Sequence, residues 1–217
     1  MAATKQSALH QWHVRAGASL AEHHGWQAPA YFTWAQKEAE QLSQSAALGD
    51  VSWMVKIDLK GYGLKTQPAV GDGHAWRLGP QHYLVTCDPV ARDAVLASIR
   101  SPYATSPDLS LPPPVYVTDV TSVYAQFLLA GPRSRDILRK LTSLNIPALD
   151  NGACGQASLA HVHGVVLRQD LGVSPAFHIL VSREYGESVW EAALHAGHEF
   201  HLAPFGFKAL EFLGAKV

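Results

Sequence analysis

Apolar positions recur at two different periods along this 217-residue chain, and the change of period divides it into elements. Between residues 34 and 48, Trp34, Ala35, Ala39, Leu42 and Ala46 recur at about helical spacing, with Lys37, Glu38, Glu40 and Gln41 between them. This is the pattern of a helix with one apolar face, and Gly49 follows as its expected C-cap. From Asp50 the period shortens. Val51 to Leu59, Ala75 to Leu78 and Tyr83 to Thr86 are short apolar runs bounded by Gly, Pro or Asp, which predicts strands of one sheet. A second helix is predicted from Pro89 to Arg100, with Asp88 as its cap and Pro89 where a missing N–H costs nothing.

The remainder of the chain has weaker periodicity at its start and a clear repeat of the same scheme at its end. Residues 8 to 32 are rich in His and Trp and are interrupted by Gly17, Gly25 and Pro29, so a short helix and an irregular arm are expected. Residues 101 to 114 hold Pro102, Pro107 and Pro112 to Pro114 and read as an extended connector between a first half, 1–100, and a second half, 115–217. In the second half, Tyr116 to Val120, Tyr124 to Leu129, 157–167 and 176–182 read as strands. Residues 132–142 and Tyr185 to Ala196 read as helices, and a short segment from Pro204 to Val217 closes the chain. His82-Tyr83-Leu84-Val85-Thr86 and His178-Ile179-Leu180-Val181-Ser182 are each followed by an acid-bearing turn and a helix with an apolar stripe. That echo suggests an α+β fold made of duplicated strand–helix units.

Composition adds exclusions. Seventeen basic residues against eighteen acidic ones give no electrostatic footprint for nucleic acid or an anionic membrane surface. No window approaches a membrane span, and the N-terminus lacks a signal-peptide core, so the chain reads as cytoplasmic. Cys87 and Cys154 lack zinc-type spacing and read as reduced thiols. Twelve histidines include His161-Val162-His163 and His195, His198 and His201 at helical spacing, but no nearby Cys or acid completes a tetrahedral set, so no metal site is assigned.

Four landmarks in order carry a family resemblance. Gly25-Trp26-Gln27-Ala28-Pro29, Asp50-Val51-Ser52-Trp53-Met54, Arg77-Leu78-Gly79-Pro80 and Ala130-Gly131-Pro132 leading into Leu138 resemble the glycine-cleavage T-protein family of tetrahydrofolate-dependent aminomethyltransferases. Arg77-Leu78-Gly79-Pro80 is also similar to the gamma subunit of heterotetrameric sarcosine oxidase, and the run from Ala130 to Leu138 resembles the related demethylating sarcosine oxidases. The resemblance implies a single folate-binding aminomethyltransferase-like domain over 1–217, an α+β duplication, with tetrahydrofolate or a derivative as ligand and a role in one-carbon metabolism.

The same resemblance proposes a site. It places Asp72 where a carboxylate would steady a developing iminium cation or move a proton near N5, although Gly71-Asp72-Gly73 is equally ordinary turn chemistry. Met54 falls where a methionine packs on the pterin, with Tyr83 in the ligand-facing set; a buried core methionine is the alternative. Cys87 replaces a ligand-binding asparagine, and Ser174 replaces a glutamate that accepts two hydrogen bonds from the pterin, leaving Arg168 and Asp170 as polar support. T-proteins continue into a further domain where this sequence ends at Val217, so the resemblance implies either an open site or a larger protein partner supplying that domain. The two functional expectations are a one-carbon transferase and a non-catalytic structural subunit of a larger complex.

Overall fold

The computed structural model describes residues 4–64, 66–103 and 114–215. Most of the proline-rich stretch, 104–113, therefore lies outside the described residues. In chain order the elements are β1 (Lys5–Gln6), α1 (His10–Arg15), β2 (Ser19–His23), β3 (Trp26–Tyr31), α2 (Ala35–Gln44), β4 (Ala47–Asp50), β5 (Val55–Lys60), β6 (His74–Gly79) and β7 (His82–Cys87). They continue with α3 (Arg92–Tyr103), β8 (Tyr116–Asp119), β9 (Tyr124–Ala130), α4 (Ser134–Leu141), β10 (Cys154–Leu159) and β11 (Val162–Arg168). The last are β12 (Ala176–Ser182), α5 (Gly186–Ala196), β13 (Ala203–Phe205) and α6 (Phe207–Leu213). Among the described residues no helix is long and apolar enough to cross a membrane.

These elements form two compact units, one of Met1–Trp53 with Ser122–Val217 and one of Met54–Thr121. The first unit holds a three-stranded sheet, β1-β3-β2, and a six-stranded sheet, β10-β11-β12-β9-β4-β13. Its core is built where the apolar stripes of α4 (Ile137, Leu138, Leu141) and α5 (Val189, Trp190, Ala193) meet Phe127 and Leu129 of β9 and Phe177, Ile179 and Val181 of β12. Each such side chain contributes about 1.5–3 kcal/mol when fully buried. The second unit is a four-stranded sheet, β6-β7-β5-β8, whose Val55, Ile57, Leu59, Tyr83, Val85 and Cys87 pack with Val95, Leu96 and Ile99 of α3.

The repeat heard in the sequence is present in the topology. β6-β7-β5 and β11-β12-β9 have the same order and antiparallel pairing, and β8 and β4 each add an antiparallel neighbour to β5 and β9. β7 and β12 are both followed by a 3₁₀ turn, Pro89–Ala91 or Arg183–Tyr185, and then by the helix that covers the sheet. Asp88 accepts from Val90 N at 2.7 Å, the cap that the sequence suggested.

Several boundaries move, each for a local reason. The helix predicted to residue 48 stops at Gln44, because Ala46 and Ala47 are completely buried and the chain goes on as β4. Gly49 is consequently a strand residue and not a cap: a Cβ there would lie 2.4 Å from the Phe205 ring of the paired strand β13. The strand expected over Val51 to Leu59 is broken by a turn, since Asp50 Oδ1 accepts from both Ser52 N (3.0 Å) and Ser52 Oγ (2.6 Å), a side-chain mimic of a backbone turn. The strand expected over 157–167 is a hairpin turning at Ala160 and His161. The arm expected to be irregular carries a second hairpin, β2–β3, which turns through His24 (φ 51°) and Gly25 (φ 78°).

Candidate functional site

In the first unit, Arg168, Asp170 and Ser174 are brought together by the loop that joins β11 to β12. Arg168 Nε and Nη2 donate to the two carboxylate oxygens of Asp170 at 3.0 and 2.8 Å, a two-pronged pair that fixes both planes. Arg168 Nη1 donates to Leu149 O at 2.6 Å, and Asp170 Oδ1 also accepts from Ala176 N at 3.2 Å. The Asp170 carboxylate beside it holds the Arg168 guanidinium above its usual pKa. Beyond the pair, Leu171 and Ser174 exchange backbone hydrogen bonds around Gly172 (φ 61°), which leaves Val173 fully exposed. The loop forms one wall of a cleft of about 480 Å³; Leu42 and Ser43 of α2 and residues Leu213, Gly214 and Ala215 complete it.

The chemistry of this cleft is modest. Among the described residues Asp170 is its one charged lining residue, and that charge is engaged by Arg168. Ser174 offers a hydroxyl where the resemblance puts a carboxylate. The Ser43 hydroxyl donates to Ala39 O at 2.9 Å, and the rest is aliphatic and backbone.

The other four site residues lie in the second unit. Met54 is buried at the bend before β5, while Tyr83 and Cys87 alternate on β7 and face the apolar cluster under α3. Burial, with a smaller contribution from the Asp88 charge, pushes the Cys87 thiol up to about 11, so it is a neutral group in the core. Asp72 occupies the exposed turn that precedes β6, following Gly71 at φ 56°. That is the turn geometry which a Gly-Asp-Gly run favours.

Two polar centres of the first unit had no single-stretch signal in the sequence. His13 of α1 and Asp50 of β4 form a buried pair, Nε2 to Oδ2 2.9 Å, with the His13 ring edge-on to Trp12, Phe32 and Trp190. Glu38 of α2 is also buried; its Oε1 accepts from Phe32 N (2.6 Å) and Thr33 N (2.7 Å), and its Oε2 from Gly206 N (2.9 Å). His13 meets Asp50 across 37 residues and Glu38 meets Gly206 across 168, which periodicity cannot report; only the polarity of Glu38 on an otherwise apolar helix face hints at one of them.

Two sheets of matching strand order, each covered by the helix that follows the repeated strand, define a duplicated α+β architecture. The chain belongs to the GCVT N-terminal domain family, whose model matches residues 68–215. It is 26% identical to an aminomethyltransferase of Acidobacterium capsulatum over 96% of this chain and 61% of that one. It is also 26% identical to the sarcosine oxidase alpha subunit of Rhizobium meliloti, over 96% of this chain and 25% of the relative. The chain thus spans about three fifths of the curated aminomethyltransferases that it matches. In fold it is similar to the glycine cleavage system aminomethyltransferase T of Bartonella henselae, with a TM-score of 0.71 at 16% identity over 95% of this chain and 60% of that chain. A chain of the heterotetrameric sarcosine oxidase of Corynebacterium sp. U-96 matches with a TM-score of 0.56 at 16% identity, over 80% of this chain and 95% of that chain.

Proposed function

We propose that this chain is a single folate-binding-like domain, 1–217, which serves folate-linked one-carbon metabolism as a non-catalytic subunit of a larger assembly. The observation that carries this reading is the state of Asp170. The acid nearest to the position of the family's pterin-binding glutamate already accepts two guanidinium hydrogen bonds and one from the backbone, and the position itself is Ser174. A charged acceptor contributes about 1.5–3 kcal/mol per bond, so replacing it by a hydroxyl weakens selection of a pterin. The burial of Met54, Tyr83 and Cys87 among core residues supports the same reading. So does the match to a short chain of a heterotetramer, nearly all of which is covered. The partner on this reading is a larger protein. Free thiols at Cys87 and Cys154 suit a cytoplasmic setting.

The second reading is a tetrahydrofolate-dependent aminomethyltransferase with Asp72 as the acid, Met54, Tyr83 and Cys87 against the pterin, and Arg168, Asp170 and Ser174 as polar support. The exposure of Asp72 favours it, because a carboxylate at a turn tip is accessible to a ligand. Calorimetric titration with 5-formyltetrahydrofolate, paired with a one-carbon transfer assay, separates the two. The subunit reading expects no transfer by the isolated chain and no effect of Asp72→Ala. Transfer that Asp72→Ala abolishes would sink it and establish the enzyme.

A further inference from the structure

The β10–β11 hairpin turns through two residues, Ala160 and His161, and both are left-handed, with φ of 47° and 71°. The twist of a two-residue hairpin calls for that backbone, but Asn-Gly or Asp-Gly normally supplies it, and alanine and histidine are strained there. The turn is held from outside: Ala160 N donates to Leu141 O (2.8 Å) at the end of α4, and Thr142 bridges to Leu159. Backbone held in this way sets the direction in which the Cα–Cβ bond of the exposed His161 leaves the turn.

His161 lines a groove of about 570 Å³ together with Lys140 of α4 and Ser188 and His195 of α5. Positions 188, 192 and 195 form one face of α5. Two histidine runs that are separate in sequence therefore contribute one ring each to the same place. The walls between them are small and apolar, Leu141, Ala160 and Ala192 among them. Lys140 Nζ donates to Ala196 O (2.9 Å) and pairs with Glu199, two contacts for a group with three N–H donors. Ser188 Oγ donates to Tyr185 O (2.9 Å), so toward the groove it can only accept.

The sign of the ligand follows from this inventory. Among the described residues the groove lining holds no acid, although Glu199 pairs with Lys140 beside it, and two imidazoles do not complete a metal's ligand set. Among the described residues no three His, Cys, Asp or Glu converge as metal ligands. An anion, by contrast, finds N–H donors on three lining residues, Lys140, His161 and His195, and a wall against which a small aliphatic body can lie. We propose that this groove is a binding site for a small phosphate-bearing anion, with the His161 and His195 rings and the Lys140 ammonium as donors. The site is independent of the cleft beside Asp170 and of any folate.

The full-length protein, labelled on its histidine rings, can be titrated with inorganic phosphate at an ionic strength kept constant with sodium chloride. The ring signals of His161 and His195 should move together and saturate in the millimolar range, while chloride alone leaves them in place. His161→Asn removes the ring but tolerates a left-handed backbone, so it should keep or raise the melting temperature and weaken phosphate binding at least roughly tenfold. His195→Gln should weaken binding similarly. Ring signals that never saturate, or binding that both variants leave unchanged, would overturn the site. Zinc that engages both rings where phosphate does not would replace it with a metal site.

Discussion

Asp50 shows how much one carboxylate can hold in place. Burial by itself would raise its pKa, but the His13 hydrogen bond and charge, with hydrogen bonds from Ser52 and Ser7, outweigh that penalty and keep the carboxyl below its usual range. His13 Nδ1 has no partner, so Nε2 carries the ring's one hydrogen bond, and Asp50 receives it. Removing Asp50 leaves that ring unpaired among Trp12, Phe32 and Trp190. Asp50→Ala should therefore destabilise the fold by about 3–5 kcal/mol, read from urea unfolding near neutral pH. The pH dependence has a definite sign. Because the folded pKa lies below the unfolded value of about 3.9, the contribution is complete above that value and is lost as pH falls through the folded one. An acid-unfolding limb that is equally steep in wild type and Asp50→Asn would refute this linkage.

At the scale of elements, the docking of α6 depends on Gly206 and Glu38. Gly206 N donates to Glu38 Oε2, which joins the start of α6 to α2, while Glu38 Oε1 holds Phe32 and Thr33 at the end of β3. A Cβ on Gly206 would lie 2.2 Å from the Ala30 carbonyl, a backbone atom that cannot swing aside. Gly206→Ala is expected to cost about 1–3 kcal/mol or more and to speed amide exchange within Phe207–Leu213. Gly71→Ala is the control, since a Cβ there meets nothing within 4 Å and only the backbone angle is strained. Its cost should be about 1–2 kcal/mol, with exchange in α6 unchanged. Equal exchange in the two variants would separate α6 docking from Gly206.

For the whole molecule, the subunit reading predicts a companion chain. Gel filtration of an extract from the native source should place the protein well above its own 23.5 kDa, with a larger chain in the same fraction. Migration at 23.5 kDa in native extract, with no chain accompanying it, would remove the partner from the proposal. That measurement does not depend on whether folate binds.

Periodicity and turn chemistry carried much of this fold in the sequence. The stripe of Ile137, Leu138 and Leu141, the Asp88 cap and the paired strands at His82 and His178 depend on residues a few positions apart, and the α+β duplication follows from them. The four landmarks from Gly25 to Leu138 carried the family resemblance in the same way, as local patterns in a fixed order, and the family model matches residues 68–215. What needed the tertiary structure depends on distance in the chain. Phe205 decides that Gly49 is a strand residue, Leu141 holds Ala160 in a turn without glycine, and Arg168 engages the charge of Asp170. His13 finds Asp50, and His161 shares a groove with His195. A sequence states which groups are present and how near neighbours are spaced, whereas the charge a carboxylate has left to offer is set by whatever the fold packs against it.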